Sequence, residues 1–162
     1  MKKAALVLTW NPAKWVPQDE DLVFKRALAG DSHMLPFVCQ WSVGNRREIE
    51  IGTTAFLLRQ GSDKGLLGRG ETVAEVFQTV HWDGSQGTAR SILIRFTEFV
   101  TIQDRLPIED LMDIAPAFPW NNLQQSGVEL KDHYFEGLSP SSWSLIDEAW
   151  IDHYRNVQAH KA

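Results

Sequence analysis

Short apolar segments that end at turn-forming residues constrain the fold of this chain more than any other feature of its sequence. Residues 4–10 form one such run, which is partly β-branched and stops at Asn11-Pro12. Runs of this length and composition are typical of buried β-strands followed by a turn. Comparable runs occupy residues 37–42, 53–59 and 91–100, and a less regular one lies between residues 72 and 82. The sequence therefore predicts about five or six strands.

Glycine is concentrated between two of these runs, at positions 61, 65, 68 and 70. Glycines at such positions are typical of turns and bulges, so we expect a glycine-rich hairpin at the corner of a small β-barrel. The segment lacks the Gly-Lys-Ser/Thr ending of a phosphate-binding loop and the third glycine of a dinucleotide fingerprint. The glycines therefore indicate architecture rather than a nucleotide-binding loop.

Helix signals flank the predicted strands. Residues 18–29 carry three acidic residues in their first turn and are followed by Gly30, a pattern that suits the helix dipole. A short helix is predicted over residues 107–114. A third helix follows Ser139-Pro140, an N-cap with a proline at the first helical position. The predicted fold class is therefore α+β, a small mixed β-barrel with flanking helices.

The composition is that of one globular domain. The chain has 162 residues, of which 43% are hydrophobic, and no composition shift or repeat marks a second unit. We expect a single domain over residues 1–156 and a frayed polar tail over residues 157–162. No apolar run is long enough to cross a membrane. The single cysteine, Cys39, fits a reducing compartment, so the sequence predicts a cytoplasmic protein.

Residue types that carry catalysis or bind metals form no recognisable pattern in this sequence. The five histidines are scattered, and Cys39 lies inside a predicted strand, where a structural role is expected. Ser126 lies in Gln-Ser-Gly and lacks the glycine-flanked elbow of serine hydrolases. Acidic pairs fall in predicted first turns of helices, where they complement the dipole. We therefore predict no cofactor, no metal and no catalytic constellation.

The chain contains seven tryptophans, an unusual number for its size. Three of them, Trp10, Trp41 and Trp120, lie where a predicted strand ends or a loop turns. Strand ends and loops form the mouths of pockets, and an indole ring can stack on a nucleobase. Polar residues that could bind a base edge there are Asn11, Ser42, Gln60, Asn121 and Gln125. Ordinary packing in the core is the alternative for each of the three indoles.

Several motifs follow one another in an order that is more specific than any one of them. They are Trp10-Asn11-Pro12 with Trp15, Trp41-Ser42-Val43-Gly44, residues 55–61, residues 64–70, His81-Trp82, and Trp120-Asn121 with Gln125-Ser126-Gly127-Val128. In this order, over most of the chain, they resemble the EVE-like domains of the PUA-like superfamily. The resemblance is closest to versions found in front of HNH-type restriction nucleases.

The resemblance implies a PUA-like barrel related to the YTH and SRA domains. Those domains bind a modified base in an aromatic pocket, after flipping it when the substrate is duplex DNA. By motif position, the pocket residues here would be Trp10, Trp41, Ser42 and the loop from Trp120 to Gly127, which includes Gln125 and Ser126.

We therefore predict a non-catalytic nucleic-acid-binding module that reads a modified base, such as a methylated one, in DNA. The candidate phosphate contacts are Arg46, Arg47, Lys64, Arg69 and Arg90. The net charge of −5 argues against strong non-specific attraction to phosphate. An RNA-binding PUA-like protein, an enzyme acting on a nucleotide in the same pocket, and an interaction module with exposed aromatics are alternatives. No HNH motif follows, so cleavage would need a nuclease partner or a region outside this sequence; no membrane partner is predicted.

Overall fold

The computed structural model describes residues 4–80, 88–131, 134–135 and 143–161. Within these ranges the strands are β1 (Ala5–Trp10), β2 (Phe37–Ser42), β3 (Thr54–Arg59), β4 (Gly65–Thr72), β5 (Phe77–Val80), β6 (Thr88–Phe99), β7 (Leu106–Pro107) and β8 (Val128–Glu129). The helices are α1 (Leu22–Leu28), α2 (Ile108–Ile114) and α3 (Ser144–Lys161), with short 3-10 turns at Asp19–Asp21 and Ser32–Met34. The His81-Trp82 motif and the predicted N-cap at Ser139-Pro140 lie outside the described residues.

The strands form one mixed sheet, and the predicted α+β class is confirmed. Its order is β2-β6-β4-β3-β1-β8, while β5 also pairs with β6 and β7 with β4. β1 and β3 run parallel, and the other pairs are antiparallel. The parallel pair brings the carboxyl ends of β1 and β3 to the same edge of the sheet, with Trp10 beside Arg59.

The sheet has more strands than the predicted five or six, with eight in the described residues. β7 and β8 contain two residues each, which is too short for a strand periodicity to be visible in the sequence. In the described residues, no hydrogen-bonded pairing joins β2 to β8, which are the first and last strands of the order given above. The sheet described is therefore open.

Apolar cores lie on both faces of the sheet. In β1, Ala5 and Val7 belong to the core that includes residues of α2 and α3, whereas Leu6, Leu8 and Trp10 belong to the core that includes residues of α1. Successive residues of a strand point to opposite faces, so a strand covered on both sides must be apolar throughout. This double burial explains why the first apolar run shows no polar alternation.

The predicted glycine-rich hairpin is confirmed, because β3 and β4 pair antiparallel on either side of a short turn in which Gly61 has φ +81°. Gly65, Gly68 and Gly70 lie in the continuous strand β4 and not in the turn. The glycines permit β6 to approach closely. A Cβ at Gly68 would lie 2.7 Å from Cδ2 of Phe99, and one at Gly70 would overlap the carbonyl oxygen of Arg95. The β4–β6 register shifts between Arg69 and Gly70, so the bulge expected from glycine occurs inside the strand.

Both terminal helices differ from their predicted bounds. α3 extends to Lys161, so residues 157–161 are helical rather than the frayed tail predicted from their polar composition. Val157 packs against the core, and two basic residues in the last turn complement the helix dipole. The predicted helix at residues 18–29 is shorter, since a 3-10 turn precedes α1. No helix in the described ranges is long and apolar enough to cross a bilayer.

Candidate functional site

A cavity of about 590 Å³ opens at the edge of the sheet where β1 and β3 end. Its walls come from these ends and the turns that follow them, from the carboxyl end of β2, the amino end of β6, and the loop before β8. This volume lies in the range of protein sites that enclose a small ligand.

Most of the residues predicted to form a pocket meet at this cavity. The predicted pocket residues are Trp10, Asn11, Trp41, Ser42, Trp120, Gln125, Ser126 and Gly127, and seven of these eight line it, all except Gly127. Gly127 is not among the lining residues; it has φ +85° and lies behind the wall, where a Cβ would come within 3.0 Å of Cα of Val43. The lining residues lie far apart in sequence and are brought together by the sheet.

Hydrogen bonds to β1 hold the loop before β8 against the cavity. The backbone N–H of Thr9 donates to Oγ of Ser126 at 3.0 Å, and the N–H of Gly127 donates to the carbonyl of Val7 at 2.9 Å. Ser126, 9% exposed, therefore has a structural role as a hydrogen-bond acceptor for the strand. The backbone N–H of Gln60 donates to the carbonyl of Trp10 at 2.8 Å, which fixes the turn after β3 in the same way.

Two of the three predicted indoles are core residues with one edge at the cavity. Trp10 is 5% exposed, and its Nε1–H donates to the carbonyl of Trp15 at 2.9 Å. Trp120 is 2% exposed, donates to the carbonyl of Ala115 at 3.0 Å, and packs on Phe118 with ring centroids 4.5 Å apart. Ordinary packing thus accounts for most of their surface, although both contribute to the wall.

Trp41 and Trp15 form the half-buried aromatic part of the wall. Nε1–H of Trp41 donates to the carbonyl of Thr9 at 3.0 Å, which fixes the ring. The Trp15 and Trp41 centroids are 5.8 Å apart and their planes meet at 85°, so the two rings touch edge to face. They form an indole corner, not a pair of parallel walls, so a flat ligand cannot enter between them.

Trp15 reaches the cavity because the chain folds back after β1. The carbonyl oxygen of Asn11 accepts hydrogen bonds from the N–H groups of Lys14 at 2.9 Å and Trp15 at 3.1 Å. Its side-chain Oδ1 accepts one from the N–H of Ala13 at 3.0 Å. Asparagine commonly stabilises such a turn through its own side chain. Sequence reasoning about pocket geometry missed Trp15 and Lys14, and the Asn11-Pro12 turn is the signal that places them.

The polar part of the wall consists of side-chain amides and hydroxyls. Besides Asn11 and Gln125, the amides are Gln40, Gln60, Asn121 and Gln124, and the hydroxyls include Ser42 and Ser91. Nε2–H of Gln60 donates to the carbonyl of Leu123 at 3.0 Å, which orients that amide. Amides offer both donors and acceptors, which a nucleobase edge requires.

The charge of the cavity wall is opposite to that of the whole chain. Lys14 and Lys64 line it, and its described lining residues include no Asp, Glu, His or Cys. Nζ–H of Lys64 donates to Oδ1 of Asn121 at 2.9 Å, so both side chains are oriented at the rim. In a chain of net charge −5, this wall favours an anionic or neutral ligand over a cationic one.

Of the predicted phosphate contacts, Lys64 alone lines the cavity. Arg46 pairs with Glu129 at 3.5 Å, and Arg90 donates from Nη1 to the carbonyl of Asn45 at 3.0 Å. Arg47 is exposed in the same loop. These three arginines lie on or beside the loop after β2, outside the cavity wall.

Arg69 connects the sheet to α3 instead of facing the cavity. It forms a two-pronged ion pair with Asp147, and Glu98 lies 4.0 Å from its Nη1. Burial alone would lower the pKa of Arg69, but the hydrogen bond and charge of Asp147, together with Glu98, raise it on balance. Because Nε1–H of Trp150 also donates to Glu98 at 2.7 Å, the cluster stabilises helix docking.

Cys39 lies in β2, and burial, with a smaller contribution from the charge of Asp21, raises the pKa of its thiol to about 12. The thiolate is the reactive form, so the thiolate fraction at pH 8 should be roughly a thousand-fold below that of an ordinary thiol. We expect iodoacetamide to label the folded protein at pH 8 far more slowly than the protein in denaturing urea, as followed by mass spectrometry. Comparable rates in the two conditions would contradict this prediction.

Metal-binding geometry is not found in the described ranges, where no group of three or more His, Cys, Asp or Glu side chains could hold an ion.

Comparisons with known proteins find distant structural likeness only. No family model and no curated protein sequence matches the chain. A crystal structure of the Mmi1 YTH domain in complex with RNA is similar with a TM-score of 0.48 and 11% identity, over 94% of this chain and 83% of that chain. A second crystal structure of the Mmi1 YTH domain gives 0.46 and 9% identity, over 93% of this chain and 99% of that chain. These values lie below the level that assigns a chain to a family.

Proposed function

We propose that this chain is a nucleic-acid-binding module that holds one modified base, preferentially of DNA, in the cavity at the end of β1 and β3. The observation that carries the proposal is the combination, in one cavity of about 590 Å³, of the Trp15–Trp41 indole corner, an amide-rich wall and two lysines without a carboxylate among the described lining residues.

Each part of this wall matches one part of a nucleotide. A base can stack on an indole of the corner, an interaction worth about 1–3 kcal/mol. Its hydrogen-bonding edge can face the amides of Gln40, Gln60 and Gln125, and its phosphate can face a lysine. A base enclosed in a cavity is inaccessible while paired in a duplex, so the ligand must be single-stranded or flipped out.

The proposal also covers the kind of nucleic acid that is bound and the superfamily of the fold. The resemblance to EVE-like domains favours modified DNA and a PUA-like barrel, with RNA as the alternative ligand. The free thiol of Cys39 is compatible with the cytoplasm as the location. A nuclease supplied by a partner would convert base reading into cleavage.

The test is a binding comparison by fluorescence anisotropy on matched oligonucleotides. The set contains 5-methylcytosine, 5-hydroxymethylcytosine, N6-methyladenine or no modification, as single-stranded DNA, duplex DNA and single-stranded RNA. We expect one modified DNA to bind at least about four-fold more tightly than its plain counterpart, because each buried methyl group contributes about 0.8 kcal/mol. Equal affinity across the set would overturn the proposal, and selectivity only in the RNA series would replace DNA with RNA.

A further inference from the structure

We propose that Lys14 and Lys64, the latter oriented by Asn121, form a phosphate wall on one side of the cavity, which binds the phosphodiester next to the recognised base. This inference deepens the proposed function and rests on it. The ligand would then be recognised as a nucleotide within a strand, by its base at the indole corner and by its backbone at the wall.

The parallel pairing of β1 and β3 brings the two lysines to one side. Lys14 lies in the turn after β1 and Lys64 in the turn after β3, and both turns leave the same edge of the sheet. The turns also lie close together, since a Cβ at Gly61 would be 3.8 Å from Oδ1 of Asn11. Lys14 directly precedes Trp15, so the phosphate wall adjoins the indole corner.

Lys64 is held in place before any ligand arrives. Its carbonyl accepts hydrogen bonds from the N–H of Ile108 at 3.2 Å and from Nε–H of Arg105 at 3.3 Å, while its Nζ donates to Asn121. A side chain that is already oriented loses less conformational freedom on binding. The position of Lys64 therefore favours a defined phosphate contact.

The acidic residue of the same turn is already paired. Both Arg59 and Arg105 approach the carboxylate of Asp63 at 3.7 Å. Asp63 consequently has two cationic partners, and it is not among the cavity-lining residues. Within this cluster three cationic side chains, Arg59, Lys64 and Arg105, accompany one carboxylate, so the turn attracts an anion.

The test measures how affinity depends on salt for a 12-nucleotide single-stranded DNA carrying one central 5-methylcytosine. Two phosphate contacts predict that log affinity falls with log salt concentration with a slope of about −1.4. Each of Lys14→Ala and Lys64→Ala should weaken binding roughly ten-fold at low salt, reduce the slope by about 0.7, and leave the ratio of modified to plain affinity unchanged. Lys131→Ala, at an exposed lysine outside the cavity wall, is the matched control.

Thermal unfolding of each variant checks that the fold is intact. Wild-type slopes in both variants, or an equal loss in Lys131→Ala, would overturn the phosphate wall. Salt-dependent binding through Lys14 and Lys64 without any preference for a modified base would overturn the proposed base reading and leave the wall standing. No binding to any strand at low salt would overturn both.

Discussion

Replacing Trp41 with alanine is expected to weaken binding of the preferred modified oligonucleotide by about 5- to 150-fold, which corresponds to about 1–3 kcal/mol. Trp41 is the member of the indole corner that is fixed by β2 and by its hydrogen bond to Thr9, so it offers a base a preformed surface. The loss should be equally large at low and high salt, because stacking involves no counterion release. Fluorescence anisotropy at two salt concentrations measures it.

Two further variants separate stacking from a general loss of structure. Trp41→Phe keeps an aromatic face but removes the N–H, so its affinity should stay closer to the wild-type value than that of the alanine variant. Val38→Ala, at a 53% exposed residue on the same strand, should bind as the wild type does. If Trp41→Ala folds and binds with unchanged affinity, Trp41 has no part in recognition.

The first strands were predictable because local sequence determines them. β1, β2 and β3 lie within one residue of the predicted runs, each apolar and bounded by turn formers. β4 was not predictable in this way, since its glycines are explained by the approach of β6 from elsewhere in the chain. The helical end of α3 likewise depends on a tertiary contact of Val157 that polar composition conceals.

The part of the candidate site that lies at the ends of strands was predictable from the sequence. Trp10 and Trp41 reach the cavity because their strands end at its edge. The burial of Trp120 and the ion pair of Arg69 depend on how loop 115–127 and α3 dock, and no local pattern reveals that. Trp15 and Lys14 reach the cavity through a single turn held by hydrogen bonds to Asn11, and no strand end places them there.

Replacing Gly70 with alanine is expected to destabilise the folded protein by about 3 kcal/mol, which is the upper end of the cost of overpacking a well-packed interior. The added Cβ would overlap the carbonyl oxygen of Arg95 and lie 2.8 Å from Cα of Phe96. Both are backbone atoms of β6 and are held by strand pairing, so the strand itself must move. Urea denaturation measures the resulting change in the free energy of unfolding.

The adjacent residue Glu71 is exposed and provides the control. Glu71→Ala alters the same strand without adding an atom toward β6. This variant should change the free energy of unfolding by less than about 0.5 kcal/mol. Gly68→Ala should lie between the two, because its Cβ would first meet a side-chain ring, Cδ2 of Phe99 at 2.7 Å, whereas the Cβ at position 70 meets backbone atoms. If Gly70→Ala unfolds with the same midpoint as Glu71→Ala, then β4 and β6 are not as close as the bulge at Gly70 requires. The ordering of the three variants therefore tests the pairing of β4 with β6, and with it the position of β6, whose amino end forms part of the cavity wall.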